Sequence, residues 1–155
     1  MLKKYLSYIP FVLLIGFLLL MQFTSYEKVD QLPILKGDGI EWTSDDLEES
    51  LIKAQEQDKL IFVDFYAKWC RPCKMLKSVT FPRESVGELF NKNFINLSID
   101  VESPQGNIIA KRYSITSYPT LLILNSAGQE VSRKVGFVIP LQLNNWAEES
   151  LAHKK

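Results

Sequence analysis

An apolar run, Leu60-Ile61-Phe62-Val63-Asp64-Phe65-Tyr66-Ala67, is followed after Lys68 and Trp69 by Cys70-Arg71-Pro72-Cys73. A run of that length, rich in β-branched and aromatic side chains, predicts a buried strand. The residues behind it, through Lys77, read as a helix, so Cys70 stands where a strand hands over to a helix. Cys70 and Cys73 lie at i and i+3, on one face of a first helical turn, and can meet in a disulfide. The unpaired N–H groups and positive dipole end of a helix start stabilise a thiolate on Cys70. Lys68, Arg71 and Lys74 add positive charge around it. Pro72 fits the first turn, where a missing N–H costs nothing. Placed behind such a strand, Cys-x-x-Cys points to redox chemistry.

Three blander readings compete. A structural zinc usually needs four Cys or His ligands, and the chain has two Cys and one His, at position 153. Haem attachment needs His behind the second Cys, where Lys74 stands. Inert packing cysteines fit poorly among charged neighbours. The pattern calls for no metal and no cofactor.

Val63-Asp64-Phe65-Tyr66-Ala67-Lys68-Trp69-Cys70-Arg71-Pro72-Cys73-Lys74 resembles the active-site segment of the thioredoxin superfamily. Tyr118-Pro119-Thr120 resembles that family's cis-proline loop, and Lys134-Val135-Gly136 its strand near the end. The likeness runs from about Ile40 to Leu151. Thr80-Phe81 is more particular and looks like the C-terminal thioredoxin-like domain of DsbD proteins and their small membrane-anchored relatives. The resemblance implies a cis bond before Pro119, which as an ordinary trans proline would sit awkwardly at a central strand. It also implies a role for Asp64. A lone carboxylate in an apolar strand is costly to bury ionised, and desolvation raises its pKa towards neutrality. An edge residue or an ion pair is the plain reading of Asp64. The resemblance makes it a proton acceptor for the second cysteine. Many thioredoxins carry a lysine near this Asp on the next strand; the nearest position here is Asn96.

Lys3 and Lys4 precede an apolar stretch, residues 5–23, free of charged side chains. At roughly 19 residues it is long enough to cross a hydrocarbon core. Positive charge before it puts residues 1–4 in the cytoplasm and the rest outside. A cleaved signal peptide is the rival, but Met21-Gln22-Phe23-Thr24-Ser25-Tyr26 offers no Ala-x-Ala pattern. Residues 24–38, broken by Pro33 and Gly37, read as a linker, and residues 39–155 as the thioredoxin-like domain.

Within that domain, Gly39-Ile40-Glu41-Trp42 reads as a short first strand, with Trp42 a packing residue. Thr43 or Ser44 is the expected cap of a helix to about Gln57, with Leu47, Leu51, Ile52 and Ala54 inward. Met75, Leu76 and Val79 continue the apolar side of the active-site helix. A helix over Arg83–Asn91 turns Val86, Leu89 and Phe90 inward, and Phe94–Ile99 is a second strand. Ser103-Pro104 starts a helix with Ile108, Ile109, Ala110 and Tyr113 on its apolar face. Leu121–Leu124 and Val131–Val135 are strands of a hairpin turning at Ser126-Ala127-Gly128-Gln129. Pro140 opens a last helix through about Leu151, with Leu141, Leu143, Trp146 and Ala147 available for packing. The expected fold class is α/β, a mixed central sheet with helices on both faces, preceded by one transmembrane helix.

The function to expect is thiol–disulfide exchange at the extracytoplasmic face of the inner membrane, in a single-pass protein anchored by residues 5–23. Cys70 is the nucleophile, Cys73 the resolving thiol, and the two form the redox disulfide. Trp69, Arg71, Pro72, Tyr118 and Pro119 are the expected substrate-binding surface. Partners are protein disulfides or dithiols and a membrane or soluble redox protein. Balanced charge, 18 basic against 18 acidic side chains, argues against nucleic acid. A binding or holdase module without turnover, and a reductant dedicated to cytochrome c or metal-site assembly, stay open beside this reading.

Overall fold

A computed structural model describes residues 38–43 and 46–154. The expected cytoplasmic residues 1–4, the anchor at 5–23 and the linker up to residue 37 lie outside the described residues. Among the described residues, no helix is long and apolar enough to cross a membrane.

The chain order is α1 (Leu47–Glu56), β1 (Leu60–Tyr66), α2 (Arg71–Met75), a π-helical turn (Leu76–Thr80), α3 (Glu84–Asn93), β2 (Phe94–Asp100), α4 (Pro104–Arg112), β3 (Thr120–Leu124), β4 (Glu130–Val135) and α5 (Pro140–Ala152). The sheet runs β2-β1-β3-β4. β1 pairs parallel with β2 and antiparallel with β3, and β3 pairs antiparallel with β4. The mixed sheet expected from the sequence is therefore present, with β1 in the interior. Both faces of β1 are covered, which explains why it is apolar at every position on both faces except Asp64 and the Tyr66 hydroxyl. Ile61, Val63 and Phe65 face a core shared with Leu47, Ala54, Ile109 and both cysteines. Leu60 and Phe62 face a second core with Leu76, Val86, Phe90, Leu143 and Trp146.

Several local expectations fail for identifiable reasons. Gly39–Trp42 forms no strand; it is an irregular segment held by the Ile40 N–H donating to the Phe81 carbonyl at 3.0 Å. Asn91 and Asn96 hold the same segment, their side-chain amides donating to the Gly39 and Glu41 carbonyls. Two glycines make room: a Cβ on Gly87 would meet the Asp38 carbonyl oxygen at 2.1 Å, and one on Gly39 the Phe81 oxygen at 2.2 Å. The cap of α1 is Asp46, whose Oδ1 accepts from the Glu48 and Glu49 N–H groups at 2.9 and 3.1 Å. Thr43 instead donates its hydroxyl to the Asn96 carbonyl. Ile52, Ile108 and Leu141 are exposed, as are Met75 and Val79. Gly106, Ile109 and Ala110 share the buried side of α4, and at about 100° per residue Ile108 falls on the opposite side. Trp42 packs as expected, its ring 5.2 Å from Phe81 and 6.0 Å from Phe62.

Candidate active site

Cys70 caps α2, and its Sγ accepts from the Cys73 N–H at 3.2 Å. A sulfur in this place receives one of the orphan amides of a helix start. The two cysteines form a disulfide, with Cα atoms 5.3 Å apart, and each is only 2% exposed. A turn fixes the approach: the Cys70 N–H donates to Ala67 at 3.1 Å. The Lys68 N–H donates to Glu102 at 2.7 Å, and its ammonium pairs with Asp100 at 3.1 Å. Pro72 lies within the first turn of α2, where no N–H is missed.

Around this recessed disulfide lies a rim. Trp69 is 68% exposed, and its ring meets that of Tyr118 edge-on at 6.0 Å. The Tyr118–Pro119 peptide bond is cis. The Pro119 carbonyl accepts from Gly136 at 2.8 Å, which joins the loop to the segment after β4. Arg71 is exposed and Pro72 half-buried beside them. Trp69 and Tyr118 are thus brought together by the fold, and Pro119 lies buried at the head of β3.

Asp64 is 1% exposed and shares a sheet face with Phe62. Its Oδ2 accepts from the Ser98 hydroxyl at 3.3 Å, and its Oδ1 has no partner. Burial pushes its pKa up to about 7, against the opposing pull of the Lys77 charge and the Ser98 hydroxyl. The edge-residue reading is therefore wrong: β1 is interior and the carboxyl is sealed. The β1–β2 register sets Asp64 beside Ser98 and Asn96 beside Phe62, and Asn96 is occupied with the 38–43 segment. The charge that opposes the rise of the Asp64 pKa is on Lys77, an exposed residue in the turn that follows α2. Sequence reading missed both Ser98 and Lys77. Counting along the strands could have found Ser98, two residues beyond Asn96, once the register was known.

The geometry is that of known proteins. A thioredoxin-like family model matches residues 41–126. The thiol:disulfide interchange protein DsbD of Pseudoalteromonas atlantica is 36% identical over 98 residues, 61% of this chain but only 16% of that protein. The solution structure of a candidate disulphide-isomerase from Bacteroides thetaiotaomicron superposes with a TM-score of 0.66 at 38% identity, covering 75% of this chain and 96% of that one. The C-terminal domain of DsbD from Neisseria meningitidis, in its oxidised form, shares the fold with a TM-score of 0.59 at 23% identity, over 72% of this chain and 98% of that one. With its Cys-x-x-Cys pair at the head of α2 and its mixed sheet, the chain belongs to the thioredoxin-like family.

Proposed function

We propose that the protein is a membrane-anchored, extracytoplasmic thiol–disulfide oxidoreductase that works as a protein-disulfide reductase. The observation that carries the reading is the Cys70–Cys73 pair at a helix start, framed by an exposed tryptophan and the Pro119 loop. The name of the DsbD relative, a thiol:disulfide interchange protein, supports the chemistry. The apolar residues 5–23 support the anchor.

In the dithiol form, Cys70 as thiolate attacks one sulfur of a partner's disulfide. A Cys70–partner bond forms, the partner's S–S bond breaks, and its other sulfur leaves as thiolate and takes up a proton. Asp64 then accepts the Cys73 proton. Cys73 attacks Cys70 Sγ, the mixed disulfide breaks, and the second partner thiol leaves. The partner has gained two electrons and two protons, and the Cys70–Cys73 disulfide remains. A membrane or soluble dithiol protein reverses these steps to recharge it. Trp69, Arg71, Pro72, Tyr118 and Pro119 form the surface on which the partner's chain is held.

The test uses the full chain in membranes. Cys73→Ser is expected to accumulate mixed disulfides through Cys70, and the wild type to reduce insulin where Cys70→Ser does not. Absence of both trapped partners and insulin reduction would leave a non-catalytic module. N-terminal sequencing of the mature protein should begin at or next to Met1; a start near Thr24 or later would remove the anchor.

A further inference from the structure

We propose that Glu102 is a positioning residue for the nucleophile: its carboxylate holds the turn that carries the chain from β1 into α2 and sets Cys70 at the helix start. The inference rests on the reading of Cys70 as the attacking thiol. The turn runs Ala67-Lys68-Trp69-Cys70 and closes with the Cys70 N–H donating to the Ala67 carbonyl at 3.1 Å. The N–H of its second residue, Lys68, takes no part in that bond. Glu102 Oε2 accepts it at 2.7 Å, from a point 34 residues further along the chain.

The grip has a second arm. Asp100 Oδ2 pairs with the Lys68 ammonium at 3.1 Å, and Asp100 Oδ1 accepts the Glu102 N–H at 3.0 Å. Lys68, Glu102 and Asp100 thus close a ring that joins the β1–α2 turn to the β2–α4 turn. The two arms are unequal. The Lys68 side chain is 76% exposed, and an ion pair in water contributes little. A backbone N–H on a carboxylate at 2.7 Å is a short, charge-assisted bond. It acts on the backbone itself, two residues before the nucleophile.

Glu102 stands on a firm base. The Val101 N–H donates to the Tyr66 carbonyl at 3.0 Å, so β1 and β2 stay joined up to the turn. The Asp100 carbonyl accepts the Ser103 N–H and hydroxyl at 3.1 and 2.8 Å, and Ser103 caps α4 by accepting the Gly106 N–H at 3.0 Å. A Cβ on Gly106 would meet the Asp100 carbonyl oxygen at 2.0 Å, so α4 lies close against this turn. From that base the Glu102 bond fixes where Cys70 Sγ lies when it accepts the Cys73 N–H at 3.2 Å. Through this contact the helix start stabilises a thiolate.

Charge and position predict opposite signs. Losing a negative charge near Cys70 favours the thiolate, and losing the grip disfavours it. The experiment follows alkylation of Cys70 by iodoacetamide across pH, read by mass spectrometry on the reduced full chain in detergent micelles. Glu102→Ala should slow alkylation at neutral pH roughly fivefold, with the pH profile displaced upwards by roughly 0.7 unit. Glu102→Asp keeps the charge on a shorter stem and should slow with it. Glu102→Gln keeps the acceptor without the charge and should be at least as fast as the wild type. Glu102 is exposed, so all three variants should keep the wild-type denaturation midpoint. Wild-type speed in Glu102→Ala overturns the inference, as does equal slowing in Glu102→Gln, or slowing that comes only with loss of the fold. Iodoacetamide needs no partner chain, so insulin reduction by the wild type tests the reductase reading separately.

Discussion

A carboxyl with a pKa near 7 inside a sheet makes this protein's stability depend on one proton, and under the proposed reading its chemistry depends on the same one. The folded Asp64 holds its proton more tightly than the unfolded chain, where its value is 3.8. The folded state binds more protons between these values, so its stability falls as pH rises from about 4 to about 7 and is flat above. Asp64→Asn cannot ionise. Near pH 4 it should match the wild type, and above pH 7 it should be more stable by on the order of 4 kcal/mol. Denaturant unfolding at the two pH values checks this. In the same variant, resolution by Cys73 should slow by on the order of 10²-fold while the attack by Cys70 changes little. Equal slowing of both steps would make Asp64 structural. That a charge lay buried here was legible from one acidic letter in an apolar run. That Ser98 and Lys77 attend it was not, because strand register and helix phase both decide which side chains meet.

The active-site helix does not continue as sequence periodicity suggests. After Met75 it widens into a π-helical turn, with the Phe81 N–H reaching back five residues to the Leu76 carbonyl at 2.9 Å. The wider turn carries Val79 away from Leu76 and leaves Leu76 and Thr80 buried. Nothing in Leu-Lys-Ser-Val-Thr announces such a turn, so the sequence alone points Val79 inward and marks Thr80 only as a family resemblance. Thr80 donates its hydroxyl to the Val138 carbonyl at 2.6 Å, joining the end of this helix to the approach to α5. Thr80→Val keeps the shape and orphans that buried carbonyl. It should destabilise the fold by about 1–3 kcal/mol, read as a lower denaturation midpoint with an unchanged slope. Thr80→Ser should retain most of the stability.

At the scale of the molecule, the order of strands and helices was readable because apolar period, caps and turn residues agree along most of the domain. The segment 38–43 was not, since its hold comes from Asn91, Asn96 and Gly87, all far away in sequence. Gly87→Ala tests that hold. The added methyl has no space beside the Asp38 carbonyl, so the Ile40 amide should lose its protection from hydrogen exchange. Overcrowding of this kind should also cost about 1–3 kcal/mol overall. The near-complete burial of both sulfurs has a consequence for what the protein can serve. Under the proposed reading, a reacting sulfur must descend past Trp69 into a recess, so it has to arrive on a strip of chain free to bend inward. A bridge lying flush in a rigid surface stays out of reach. Turnover across a set of clients should then follow how often each client's cystine lifts off its own fold, and the gatekeeper is the client's looseness more than its sequence.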